Sequence, residues 1–251
     1  MFDTQFFQRS SLWQASTLLD FTPLSKAQKE HLTKVYATLA LCSVITFAGA
    51  VLPLRYLNFN RALTALACLG ATLYVVYVGS SADHQRQPLS VKRCAALSVM
   101  AFAQGLLLRD MVIYLHFLNP EILTTALFAT IAVFACFSLG SLCMTSRTAL
   151  YLGGLAFSLS FYVSMVRLTN IFIRSKFADD VSDIVMLLAF CGFIIFDTQV
   201  TLRDFNYGSR DYVAHAIMLY GDILHIFLKI VKILSKKESK KEEKSESRAT
   251  F

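Results

Sequence analysis

The chain has 251 residues, of which 55% are apolar and only 16% charged, with a formal net charge of +7. Soluble domains carry about a quarter charged residues and spread them along amphipathic helices, whereas here the charges collect in short stretches between long apolar runs. That pattern excludes an ordinary soluble protein, and the continuous runs, with little alternation, speak against a β-barrel; the expectation is an all-α polytopic membrane protein with six or seven transmembrane helices.

In chain order, residues 1–34 read as a cytoplasmic N-terminal segment. Its start, MFDTQFFQRSSLWQASTLLD, lacks the basic start, apolar core and small-residue cleavage site of a secretory signal, and no lipidation pattern is present. A helix needs about 20 residues to cross a hydrocarbon core and satisfies its own backbone there. Runs of this kind fall at 35–52, 62–80, 94–117, 122–143, 149–166, 181–202 and 212–234, which makes 35–234 a helical membrane domain. Residues 235–251, SKKESKKEEKSESRATF, mix six basic with four acidic residues and hold almost nothing to bury; they read as a charged, disordered tail. Basic content without aromatic interleaving does not point to nucleic acid. Six cysteines (Cys42, Cys68, Cys94, Cys136, Cys143 and Cys191) lie in or beside the apolar runs with no CxxC spacing and read as small buried hydrophobes.

Lys and Arg collect on the cytoplasmic side of a membrane protein. Six crossings, a re-entrant seventh segment and both termini cytoplasmic put 18 basic residues on that side and 5 on the other. A full seventh crossing with the C-terminal tail cytoplasmic changes the counts to 13 and 10. Charge favours the re-entrant arrangement, yet the 23 residues of segment 7 suffice to cross, so both stay open.

Segment 7 is DYVAHAIMLYGDILHIFLKIVKIL from Asp211. Steps of four and three place Asp211, His215, Met218, Asp222, His225, Lys229 and Lys232 on one helical face. A charge at the bilayer centre costs about 2.5–3.5 kcal/mol on insertion scales, so this face is expected to turn toward protein or water, with segment 7 central in the bundle. An amphipathic helix in the interface is the alternative. In segment 6, AFCGFIIFDTQVTLRD, Asp197 interrupts the apolar run. A short connection makes segments 6 and 7 antiparallel neighbours, and counting back from the turn brings Asp197 and Asp222 to comparable depth. The plainer role for Asp197 is a helix-end cap beside Thr198, Gln199, Arg203 and Asp204. His215 and His225, ten residues apart, cannot chelate one metal as an i, i+4 pair does, and read as hydrogen-bonded packing; no tightly bound metal is expected. Ala156, Ser160 and Ser164 form a small-residue ladder for close helix packing.

HLTKVYATLALC at 31–42, NPEILTTA at 119–126, YLGGL at 151–155, FDTQ at 196–199 and GSRDYVAHA at 208–216, then LYGDILHIFLKIVKIL and a lysine-rich tail, follow one family's order and spacing. On these motifs the chain resembles the Bax-inhibitor family, the transmembrane Bax-inhibitor-motif proteins, and within it the endoplasmic-reticulum branch, over 28–234. The resemblance implies a helical bundle around a central last helix, residence in the endoplasmic-reticulum membrane, and restraint of stress-induced programmed cell death. It also implies a pH-sensitive calcium leak from that store, with Asp197 and Asp222 matching the family's two pore carboxylates. Two departures fit a divergent paralogue. Met218 stands where some relatives carry another acid. Arg109 and Asp110 replace a Gly-Pro pair in helix 3, putting charge where relatives have a helix breaker. Several extra residues also lie between 83 and 93.

Two carboxylates facing each other at low dielectric do not both ionise cheaply and share a proton. Protonated, such a pair holds segments 6 and 7 together; deprotonated, it repels and exposes its oxygens. Calcium takes about six to eight oxygen ligands, so two aspartates hold it weakly, as a permeant ion rather than a cofactor. Arg109, Asp110, His215 and His225 are candidate modulators of the pair. The competing reading is a non-conducting interaction protein that modulates cell death or stress signalling through regulatory partners. Enzyme activity is not expected, because neither a GxGD-type sequence nor a nucleophile with a positioned base is found. The expected partners are the lipid bilayer, calcium ions, protons and cell-death regulatory proteins.

Overall fold

The structure, a computed structural model, describes residues 24–51, 60–79 and 91–249, and of residue 79 and residues 242–249 the backbone alone. Among these residues there are seven helices and no strand: α1 (Lys26–Val51), α2 (Arg61–Gly79), α3 (Val91–Leu118), α4 (Pro120–Leu142), α5 (Ser146–Ile173), α6 (Lys176–Asn206) and α7 (Tyr212–Ala249). The N-terminal stretch 1–23 and the extra residues up to 90 lie outside the described residues, as do 250–251. Helices α1 to α6 are each long and apolar enough to cross a membrane. The chain is thus an all-α, multi-pass membrane protein.

Several helices outrun the apolar runs that announced them. α1 begins at Lys26 rather than 35, and α5 continues to Ile173 rather than 166, because hydropathy registers only the part inside hydrocarbon while capping decides where a helix stops. Asn119 caps α4 by accepting from the Glu121 amide, with Pro120 at the first helical position where its missing N–H costs nothing. Thr145 caps α5 and Ser175 caps α6 in the same way. Between α5 and α6, Arg174 takes a left-handed conformation at φ 54°; the Asn170 side chain braces that turn, accepting from the Ser175 amide and donating to Asp179.

Without a hydrophobic force between helices in lipid, close backbone approach holds them together. α1 crosses α3 where Gly49 meets Gly105: a Cβ on Gly105 would run into the Thr46 carbonyl and stand 3.0 Å from the Gly49 Cα. α5 meets α6 where Gly153 receives the Phe196 ring and Ala156 faces Gly192. Only the first member of the expected small-residue ladder packs this way; Ser164 is exposed and bonds back to the Ser160 carbonyl of its own helix.

The last helix packs against α6, α1, α4 and, less extensively, α2. Val213, Leu219 and Ile226 are completely buried, which rules out a helix lying in the interface. Nor does it re-enter. Asp211 at its start contacts Arg93 at the start of α3, while Lys236 and Lys240 reach Asp183 and Asp180 in the first turns of α6. α6 and α7 are therefore antiparallel from the Asp204–His215 contact to the Asp180–Lys240 contact, and this stretch of α7 runs the length of the bundle.

Two other expectations are corrected. The stretch from 235, read as a disordered tail, continues α7 as helix to Ala249. Lys and Glu are good helix formers, Lys241 pairs with Glu238 at 3.1 Å, and Lys236 and Lys240 tie the segment to α6. Hydrogen bonds from Lys241 and Asn119 hold the Glu238 carboxyl below its usual range. Of the cysteines, Cys42 and Cys191 are buried, but Cys136 and Cys143 are exposed on the bundle's outer surface; an apolar environment there is the membrane itself.

Candidate functional site

The polar groups of α6 and α7 meet along one seam, and a seven-residue step along each helix moves from one polar layer to the next. Seven residues rise about 10 Å. Asp204 faces His215 in the first layer, Asp197 faces Asp222 in the second, and two steps further Asp183 faces Lys236.

The middle layer holds the predicted pair. Asp197 and Asp222 come together carboxyl against carboxyl. Asp222 is 7% exposed, and its Oδ2 is buried without a hydrogen-bond partner. Asp197 is half-buried and lies nine residues before the end of α6, whose cap is Tyr207, so it is no helix-end cap. Beside it, Thr201 donates to the Asp197 carbonyl, and Gln199 reaches the Met144 carbonyl at 3.0 Å, tying α6 to the end of α4. Two residues before Asp222, the Tyr220 hydroxyl lies 2.7 Å from that of Thr46, which also contacts the Ala101 carbonyl of α3. This three-helix bond sits one turn from the Gly49–Gly105 crossing.

The first layer was only half anticipated. His215 faces His31 of α1, Nδ1 to Nε2 at 3.2 Å, and its Nε2 lies 3.7 Å from Asp204. Next to it, Arg93 of α3 grips Asp211 through two hydrogen bonds of 2.8 and 2.7 Å, with no exposure of the arginine. Asp211 also accepts from the Ala214 amide and so caps α7.

The third layer was not anticipated. Asp183, its side chain 1% exposed, accepts from Arg167 of α5 at 2.6 Å and from Lys236 at 2.8 Å, with Lys232 at 3.0 Å and Lys229 at 3.5 Å. Asp180 takes Lys236 at 3.0 Å and Lys240 at 2.7 Å. A signal was present, because the depth count that joins Asp197 to Asp222 also sets Asp183 opposite the lysines.

The remaining candidates disperse. The expected inward stripe on α7 is inward only in part: Asp211, His215 and Asp222 are buried, whereas Met218, His225 and Lys232 are exposed. His225 bonds to its own helix at the Gly221 carbonyl and stacks on Phe190, centroids 4.6 Å apart. Asp110 lies at the exterior, 3.6 Å from Arg61 of α2, away from the carboxyl pair, and Arg109 beside it is half-buried. The charge in place of the Gly-Pro pair leaves α3 unbroken. Among the described residues, no group of three or more His, Cys, Asp or Glu comes together to hold a metal ion.

Residues 28–239 match the family model described as "Inhibitor of apoptosis-promoting Bax1". The chain is 33% identical over 230 residues to Bax inhibitor 1 of Homo sapiens and 32% identical over 231 residues to that of Sus scrofa, covering 90% of this chain and 95% of each relative. It is 32% identical over 242 residues to Bax inhibitor 1 of Arabidopsis thaliana, covering 96% of this chain and 94% of the plant protein.

Proposed function

Since the chain belongs to the Bax-inhibitor family of cell-death-regulating membrane proteins, we propose that it restrains programmed cell death from the endoplasmic-reticulum membrane. It does so through a pH-sensitive calcium leak in which Asp197 and Asp222 sense protons on the ion pathway. The carrying observation is their direct contact inside the α6–α7 seam. Two carboxylates are both acceptors, so only a proton between them makes a bond. With that proton the seam is held closed; without it, repulsion parts the helices and presents carboxylate oxygens to a cation. Two aspartates fall short of the oxygen shell calcium prefers, and weak binding suits an ion that must leave again.

The sign follows. Acidification favours the shared proton, so calcium flux falls as pH drops. In liposomes carrying the purified protein, Asp197→Asn or Asp222→Asn supplies a permanent amide donor to the remaining carboxylate, and calcium flux becomes low and flat across pH. Wild-type flux with an unchanged pH profile in both variants would remove the mechanism.

A second reading draws on the continuation of α7 to Ala249, past the last lysine bonded to α6. A helix projecting from the membrane is a docking element for cell-death regulatory proteins, without any conduction. Removal of 242–251 leaves Lys236 and Lys240 on their carboxylates; on this reading protection from cell death is lost at normal protein level, and on the leak reading it is kept. In both readings the C-terminal end faces the cytoplasm, the arrangement that gives 13 basic residues against 10.

A further inference from the structure

The third layer of the seam carries more positive charge than its carboxylates neutralise. Five cations, Arg167, Lys229, Lys232, Lys236 and Lys240, converge on Asp180 and Asp183. The neighbouring Asp179 is engaged instead by the Asn170 amide. A clamp joining α5, α6 and α7 needs one or two of these contacts, and the surplus projects a positive potential along a low-dielectric seam, where charges act more strongly than in water.

Lys229 is the member best placed to act on the carboxyl pair. Its side chain is only 14% exposed, it lies seven residues beyond Asp222 on the same helical face, and its 3.5 Å contact is the loosest of the four at Asp183.

We propose that the Arg167–Asp183–Lys229 cluster is an electrostatic plug that sets how readily cations pass between Asp197–Asp222 and this end of the bundle, with Lys229 as its rate-determining charge. The proposal rests on the leak reading and adds to it a charge barrier separate from the proton-sensing pair. It has a signature that packing lacks. A barrier made of charge scales with the valence of the ion, so removing one positive charge lowers it twice as much for a divalent as for a monovalent cation. The fold-increase for calcium is then the square of that for potassium.

The test uses the full chain in liposomes with calcium and potassium efflux measured in parallel, for wild type, Lys229→Gln and Lys229→Arg. With Gln, potassium leak rises about 3-fold and calcium leak about 10-fold; Arg keeps the charge and stays near wild type. Lys232→Gln, at a half-exposed position, is a second variant should Lys229→Gln not fold, and it follows the same squared relation with a smaller effect. An equal rise for both ions means looser packing and overturns the plug, as does no rise for either, including in a protein that does not leak at all. Asp197→Asn and Asp222→Asn, run alongside, separate the two ideas. If they flatten the pH profile while Lys229→Gln does nothing, the plug is wrong and the leak reading stands. If Lys229→Gln acts with the squared relation while they do nothing, the plug stands and the carboxyl mechanism falls.

Discussion

Arg93 and Asp211 show what a single residue carries in this molecule. The guanidinium is completely buried and bonded to both oxygens of a carboxylate that also caps α7. Removing one partner of such a pair leaves a buried charge uncompensated, at about 3–5 kcal/mol, whereas replacing both with apolar groups is far less costly. Arg93→Met is therefore expected to lower the thermal unfolding temperature in detergent sharply, and Arg93→Met with Asp211→Leu to recover much of the loss. A double variant as unstable as the single one would mean the pair is not the origin of the effect. At this scale legibility depended on distance along the chain. Asp197 and Asp222 sit on consecutive helices and can be paired by counting from one turn, but Arg93 lies 118 residues from Asp211, and no count spans that.

For whole elements, periodicity and apolar length announced every described helix, and the errors are at the ends. Caps such as Asn119, Thr145 and Ser175 extend the helices beyond the hydrocarbon part, and Lys–Glu and Lys–Asp pairs turn an expected disordered stretch into the end of α7. What the elements do to each other depends on glycines whose partners are invisible in one dimension. Gly105→Val drives a side chain into the backbone of α1 at Thr46. Overpacking of this kind costs about 1–3 kcal/mol, and because Thr46 also bonds Tyr220 of α7, the strain reaches the element that carries Asp222. The expected result is a lower unfolding temperature together with altered leak; Gly70→Val, at a position open to the surroundings, serves as the control that changes neither.

Over the whole molecule, the contacts of α7 at both ends of the bundle decide the topology. Gln28 near the start of α1 bonds to Asn206 at the end of α6, whereas Glu238 bonds to Asn119 ahead of α4. The start of α1 and the Glu238 region of α7 therefore lie at opposite ends of the bundle, the arrangement that an odd number of crossings gives. Epitope tags at the two termini are expected to differ in accessibility when the plasma membrane alone is permeabilised, with the C-terminal tag reached and the N-terminal tag protected. Both tags reached together would contradict a full crossing by α7.

Apolar runs long enough to cross a bilayer made the all-α membrane class legible without coordinates, because a backbone in lipid satisfies itself only as a helix or in a closed barrel, and these runs lack a barrel's alternation. The antiparallel neighbours α6 and α7 and the depth of their two aspartates were equally legible, since a short turn and a constant rise per residue leave little freedom. Folding decided the rest. Whether α7 re-entered depended on which helix ends its charges met, and the partners of Asp211, His215 and Asp183 come in part from α1, α3 and α5, brought beside α7 only by the close packing of the bundle. Charge counting pointed to re-entry because it weighs each basic residue as free in a loop, while Lys229, Lys232 and Lys236 of α7 are held on the buried Asp183 of α6.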